Sequence, residues 1–484
     1  MAHLENLGGK AFQGLCWSLA QSWGGKALNL LLYLILARLL SPAEFGIAAA
    51  VSLVLMLQHL VAEFGFGDAL IQRAQLSRQD ITLPFLAGVS ASLVLSLTIA
   101  LFAHQIERLI NVPDLAPYLI VASLFAPLAA ATAFQEALYK RDLDFMPLAI
   151  RQFVALAVSG VIGVSCAFSG IGAWSLIVQS VVYTVVSSIW LWRKPRWVPV
   201  RQYDLASFRS IGAFGASIFS TRLIDFFATR TIDFVIVTLH GAAALGLYTI
   251  GAKLYQTAME LLFRAVMDVS LSALSKIAYD RTRLAATYQR VVSASSLFGT
   301  PVFFAMAALS PEITYILFGG KWAGSELIMT PLMLIGGVQC IQFVNGPYLT
   351  AIGRPHLTLW LTLIKLAAVL PAIILIPSGN VGKLVDIYVL ALLVVTPFSF
   401  GLVAKELDIR LRDIVNWIAP GLMSGGIAYL SVWLARGMVG AYSMNAVAQL
   451  FVLGLLFSIV YLLLVIVIAR TPVHETVRFL RRRT

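Results

Sequence analysis

The chain alternates between apolar runs of about 20 residues or more and short polar breaks, the pattern of helices that cross a bilayer one after another. The runs fall near 12–38, 45–65, 81–103, 115–138, 146–168, 171–192, 209–239, 244–275, 284–309, 326–351, 357–377, 384–404, 413–436 and 446–469. Turn signals separate many of them: Ser41-Pro42, Ser169-Gly170, Gly319-Gly320, Arg354-Pro355 and Ser378-Gly379. The pattern predicts an all-α polytopic membrane protein of about fourteen transmembrane helices.

Several runs carry polar stripes. In 245–275, Lys253, Glu260, Arg264 and Asp268 fall within about 80° of one helix face at 100° per residue, with Thr257 beside them. The first run aligns Ser18, Gln21, Ser22, Gly25, Lys26 and Asn29 within about 140°. The seventh aligns Arg222, Asp225, Arg230 and Asp233. The eleventh aligns Thr358, Thr362 and Lys365. The second places His59 one turn from Glu63, and the tenth adds Gln339, Gln342 and Asn345. A charge near the bilayer centre costs at least about 2.5–3.5 kcal/mol, so these stripes cannot face lipid. Two readings stay open for each residue. Either the charges pair and glue helices, as Glu260 with Arg264 or Arg222 with Asp225 can do locally, or they line a hydrated cavity. Aligned rows on several helices favour the cavity. The cations within the runs are Lys26, Arg151, Arg222, Arg230, Lys253, Arg264 and Lys365; the acids are Glu63, Glu136, Asp225, Asp233, Glu260 and Asp268. Seven against six leaves the interior near neutral, so composition alone does not make it anion-attracting. The acids Glu63, Asp225, Asp233, Glu260 and Asp268 equally suit coupling to H+ or Na+. His59 reads as a packed histidine rather than a ligand.

Composition agrees with a membrane class: 484 residues, 60% hydrophobic, 12% charged, mean hydropathy +0.87. The net charge of +12 follows topology. With the N-terminus cytoplasmic, 23 Lys and Arg fall on the inner side, 5 on the outer side and 7 within the runs. This satisfies the positive-inside rule with both termini cytoplasmic. The basic balance therefore implies contact with anionic membrane lipids, not nucleic acid. Cys16, Cys166 and Cys340 lie far apart in apolar runs, with neither metal-ligand nor disulfide spacing. No cleaved signal peptide is expected at the start. The outer loops 168–173 and 240–244 are short and nearly free of titratable groups, which argues against a membrane-bound enzyme. The chain has no Gly-Lys-Ser/Thr phosphate loop, so it does not itself hydrolyse ATP. No cofactor or metal is expected.

The two halves look related. Segment 41–47, SPAEFGI, aligns with 241–247, GAAALGL, at an offset of 200, and 68–73 resembles 272–276. Six helices per half predict parallel repeats about an axis along the membrane normal. The organisation expected is an N-lobe over 1–192, a basic cytoplasmic linker over 193–208, a C-lobe over 209–404, two additional helices over 405–469 and a basic tail over 470–484. The linker, with Trp197, Val198 and Val200 among its cations, reads as lying on the inner membrane surface.

Four strings carry a family resemblance: FGDALIQR at 66–73, ALGLYTIG at 244–251, LFGGKW at 317–322 and AIGRP at 351–355. Their order and spacing resemble the polysaccharide transporter, Wzx-like branch of the multidrug/oligosaccharidyl-lipid/polysaccharide flippase superfamily. Within it they look most like the colanic-acid-type lipopolysaccharide exporters. The resemblance implies two six-helix lobes in pseudo-twofold arrangement, alternating access, and no enzymatic activity. The implied cargo is an undecaprenyl-pyrophosphate-linked oligosaccharide, moved across a bacterial inner membrane. It implies a polysaccharide polymerase and a chain-length regulator as partners. On that cargo, Lys26, Lys253 and Arg264 are the candidate pyrophosphate ligands, with Arg222 and Lys365 secondary. Gln21, Asn29 and Gln339 are sugar-facing candidates. Where relatives often carry Gly-Arg after the seventh helix, this chain has Thr238-Leu-His240-Gly241. Two other functions fit the stripes: a cation-coupled multidrug exporter working through Glu63, Asp225 and Glu260, and a passive lipid scramblase or structural partner of a polysaccharide assembly complex.

Overall fold

The computed structural model describes residues 24–277, 280–375, 379–440 and 445–468. Those residues are helical nearly throughout, with no strand among them. Twelve of their helices are long and apolar enough to cross a membrane, and one of these, the run Leu205–Leu262, is divided in two at Gly241. With that division and the helix over 24–39, the described residues hold fourteen long helices, in line with the all-α membrane protein that the hydropathy pattern predicts. The chain packs as two units, up to Gly246 and from Leu247 onward. The division falls within the helical run Leu205–Ile277.

The first unit contains α1 (24–39), α2 (Pro42–Glu63), the short α3 (Phe66–Gln72), α4 (Arg78–Leu101), α5 (Leu115–Arg141), α6 (Phe145–Phe168), α7 (Trp174–Trp192) and α8 (205–240). Ser41 caps α2 with a reciprocal pair of contacts. Its hydroxyl accepts from the Glu44 N–H, and the Glu44 carboxylate accepts the Ser41 N–H at 2.6 Å. Ser77 and Asp80 repeat the device at α4. Phe64 and Gly65 both take left-handed φ, 45° and 73°, which stops α2 and turns the chain into α3. Gly65 also permits a backbone approach from α8, since a Cβ there would lie 2.6 Å from the Gly215 carbonyl oxygen. Phe64 stacks on Phe219 at 4.9 Å beside that contact.

Trp197 of the linker is a core residue and not an exposed anchor. Trp197 is 4% exposed and packs with Phe66, Leu70, Phe85, Phe134 and Ile211. Its indole N–H donates to the Arg78 carbonyl at 2.8 Å, and its own carbonyl accepts from the Gln135 amide at 2.7 Å. Gln135 also accepts the Arg196 N–H, and the Tyr139 hydroxyl donates to the Lys194 carbonyl. The irregular backbone on either side of the buried Trp197 needs such partners. Gln135 supplies both a donor and an acceptor, which composition could not disclose. Trp197→Ala is expected to cost about 3–5 kcal/mol through the cavity it leaves. Thermal unfolding of detergent-solubilised protein measures the loss.

The second unit continues with α9 (242–277), which begins in the first, then α10 (Arg281–Ala308), α11 (Glu326–Ala351), α12 (Pro355–Leu375), α13 (Val381–Leu407), α14 (Leu411–Gly440) and α15 (Ala446–Ile468). Within α10, Ser295–Gly299 forms a π-turn. The Ser296 hydroxyl donates to the Ile418 carbonyl at 2.7 Å, and the Tyr461 hydroxyl donates to the Leu297 carbonyl at 2.6 Å. Those bonds dock α14 and α15 onto the widened turn. Phe304, Ala428, Val432, Leu453, Phe457 and Tyr461 fill the space between these helices. On the other side of α10, Tyr288 donates to Asn345, whose amide donates to Ser399, each at 2.8 Å.

Candidate functional site: a charged cavity in the first unit

Because α2 stops at Phe64, Glu63 stands in its last turn, and the chain re-enters a helix three residues later with Asp68 in the first turn of α3. A carboxylate there is favoured by the positive end of the short helix. Arg141, at the end of α5, holds the other end. Its guanidinium donates to the carbonyls of Leu70, Arg73 and Ala74, which α3 would otherwise leave without partners. The two carboxylates thus have fixed positions, and Arg222 of α8 bridges them. Its guanidinium lies 3.0 Å from Glu63 and 2.6 Å from Asp68. Such a two-pronged grip suits a planar guanidinium and not an ammonium.

The facing wall comes from α5 and α6. Glu136 pairs with Lys140 one turn on and with Arg151 of α6, both at 2.8 Å. Arg151 is 6% exposed, so Glu136 neutralises a guanidinium that has almost no water of its own. Between the walls lies a cavity of about 290 Å³. His59, Glu63, Asp68, Glu136, Lys140 and Arg222 all line it. His59 sits 3.8 Å from Glu63. Glu63, Asp68 and Glu136 balance Lys140, Arg151 and Arg222 in formal charge. The surface offers strong donors and acceptors side by side without a net field. It can meet hydroxyl-rich or dipolar groups, and its ion pairs can exchange partners.

Of the residues the sequence singles out, Glu63 and Arg222 meet here. Arg222 takes Glu63 and Asp68 as partners, while Asp225, one turn along α8, is exposed. Arg230 and Asp233 pair at 3.6 Å, with Asp233 6% exposed. Lys26 is half-buried and Asn29 exposed on α1. In the second unit Lys253 and Lys365 are half-buried, Glu260 is exposed, and the Thr257 hydroxyl donates to the Lys253 carbonyl. Gln339 accepts a hydrogen bond from the Tyr255 hydroxyl. Gln21 and the side chains of Arg264 and Asp268 lie outside the described residues. The sequence reading counted Glu136 and Arg151 among the charges within the runs without giving them a role, and gave none to Asp68 and Lys140. The Glu136–Lys140 spacing of four was the available signal. His59, expected to be packed, is instead 47% exposed along the cavity.

The model of the polysaccharide biosynthesis protein family matches residues 35–326. Over 471 residues the chain is 23% identical to the succinoglycan biosynthesis transport protein ExoT of Rhizobium meliloti, covering 96% of this chain and 95% of that protein. Over 373 residues it is 22% identical to the lipopolysaccharide biosynthesis protein WzxC of Escherichia coli, covering 76% of this chain and 75% of the relative. Its fold is similar to that of the lipid II flippase MurJ in an inward closed conformation. The TM-score is 0.73 at 15% identity, over 94% of this chain and 99% of that one. An inward-facing multidrug resistance MATE family transporter also matches, with a TM-score of 0.58 at 14% identity, over 79% of this chain and 94% of that one. A family match over more than half its length, on this helical fold, makes the chain a member of the polysaccharide biosynthesis protein family.

Proposed function

We propose that the protein is a transporter that flips an undecaprenyl-pyrophosphate-linked oligosaccharide from the inner to the outer leaflet of a bacterial inner membrane. It works by alternating access and without hydrolysing ATP itself. The observation that carries this reading is the row of ionised side chains around a polar cavity inside membrane-embedded helices. Ionised groups between such apolar helices are expensive and mark the path of a polar or charged cargo. ExoT is named a transport protein of succinoglycan biosynthesis, and WzxC a protein of lipopolysaccharide biosynthesis. Lys26, Lys253 and Arg264 meet the pyrophosphate through charge-assisted hydrogen bonds. Lys365 is a secondary ligand. Arg222 is secondary too, because it must first leave Glu63 and Asp68. Gln21, Asn29 and Gln339 face the sugars. Glu63, Asp225, Asp233, Glu260 and Asp268 are the coupling carboxylates for H+ or Na+. A polymerase and a chain-length regulator act on the exported unit.

The test is outward flipping of a lipid-linked oligosaccharide in proteoliposomes, with and without an H+ or Na+ gradient. Lys253→Ala and Arg264→Ala are each expected to abolish flipping while insertion and abundance stay normal. Wild-type rates from both variants remove the phosphate role. Transport of small cationic dyes in place of the lipid-linked sugar selects the multidrug reading.

A further inference from the structure

The aligned segments 41–47 and 241–247 are not only similar; they touch, and they touch reciprocally. A Cβ on Gly46 would run into the backbone of Ala242, and a Cβ on Gly246 would run into the backbone of Pro42. Pro42 and Ala242 are equivalent at the offset of 200, and so are Gly46 and Gly246. Each helix start therefore places its own small residue against the partner's first residue, which is the signature of a self-complementary contact about a local twofold. Both glycines are buried, as are their neighbours Phe45 and Leu245 at 4% and 1% exposure. Pro42 and Gly46 are one turn apart, as are Ala242 and Gly246, the spacing that lets two helix backbones approach closely in a membrane. The α9 start is set by Gly241, whose φ of 79° and ψ of −179° break the helical run there. The contact is backbone against backbone, held by dispersion across small residues.

We infer that this glycine seam closes the outer end of the transport path and has to part once in each cycle to release cargo. The inference rests on the flipping function proposed above, and on the positive-inside assignment of these turns to the outer side. A closure of this kind separates without stranding an ion pair in a low-dielectric region, which a salt-bridged gate would do. It also explains why both positions are glycine. A methyl group at either forces the backbones apart, and no rotamer change relieves a clash with a carbonyl. Since one added methyl already opens the seam, the second adds little.

The test uses the full-length protein, free of its native cysteines and carrying Ala242→Cys as a probe. Gly46→Ala and Gly246→Ala are made singly and together. Gly212→Ala serves as control, because a Cβ there meets nothing within 4 Å. Labelling of the probe by a membrane-impermeant maleimide from the outside is expected to speed up about tenfold in each single variant, the shift that overpacking of this size produces. Outward flipping is expected to fall by about the same factor, with the double variant no worse than the singles. Gly212→Ala is expected to match the parent in both measurements. Unchanged labelling in both single variants overturns the inference. So does failure of both to accumulate while Gly212→Ala accumulates, since the contact then serves folding alone. Faster labelling in a protein that flips no lipid-linked sugar keeps the seam and overturns the transport reading.

Discussion

Arg222→Ala is expected to lower flipping at least tenfold while leaving the protein folded and abundant. The guanidinium spans two carboxylates on two different helices, at 3.0 and 2.6 Å. Its removal leaves Glu63 and Asp68 side by side on one wall of the cavity with no cation between them. In a sealed interior, loss of one partner costs about 3–5 kcal/mol. Here the arginine side chain is 39% exposed and Glu63 21%, so water screens the pair. A cost of about 1–2 kcal/mol follows, enough to disorder the cavity wall but not to unfold the unit. Arg222→Lys is expected to recover only part of the rate, because one ammonium cannot hold both carboxylates in a fixed fork. Adding Glu63→Gln to Arg222→Ala is expected to restore thermal stability and not flipping. Initial rates in proteoliposomes and melting curves in detergent separate the two effects. A wild-type rate in Arg222→Ala sinks the functional role of the cluster.

Arg436→Ala is expected to produce the larger loss of stability. Arg436 of α14 makes two bonds to Glu312, at 2.7 and 3.0 Å, and a third to the Ala308 carbonyl at 2.6 Å. Glu312 is 3% exposed, so this carboxylate has no water to fall back on once the arginine is gone. About 3–5 kcal/mol is expected, with a smaller fall for Glu312→Ala, because the arginine it leaves behind is 31% exposed and can be hydrated. The double variant Glu312→Gln/Arg436→Met is expected to recover most of it, since neither buried charge remains unpaired. A melting temperature in Arg436→Ala equal to that of the parent contradicts this account. The pair involves one of the five cations that the sequence reading assigns to the outer side. Arg436 is neutralised within the protein by Glu312.

The spans were legible because hydropathy at helical length is a direct consequence of the bilayer. Their interruptions were less so. Nothing in the apolar run 45–65 announces that Phe64 would take a left-handed φ and end α2 there, since only Gly65 has the residue type for it. The short α3 that follows looked like a charged inner loop, so Arg141 was counted as a topology signal and Asp68 only as part of a repeated string. Their structural work is local: one sits at the N-terminal turn of α3, the other caps its C-terminal carbonyls. Glu63 and Arg222 were visible because each lies within an apolar run, where a charge stands out. That they bind each other across 159 residues was not, because a stripe gives the face of a helix and not its neighbour. Trp197 was misread for a related reason. An aromatic among cations resembles an interfacial anchor until Gln135 is known to supply partners for its backbone.

The π-turn at Ser295–Gly299 sets the rotational phase of α10. Tyr288 and Thr300 are twelve residues apart, which in an unbroken α-helix would point them about 120° away from each other. The wide turn absorbs about one residue of advance, and the divergence shrinks to about 20°. Both side chains then reach the same neighbour, α11: Tyr288 bonds Asn345, and Thr300 bonds the Gly337 carbonyl at 2.9 Å. Straightening the turn with all its residues kept would swing the two anchors about 120° apart, whereas deleting one residue inside 295–299 would leave them eleven residues apart on a regular helix and still within about 20° of each other. The irregular turn is thus a phase correction, through which a single helix keeps two distant side chains aimed at one partner.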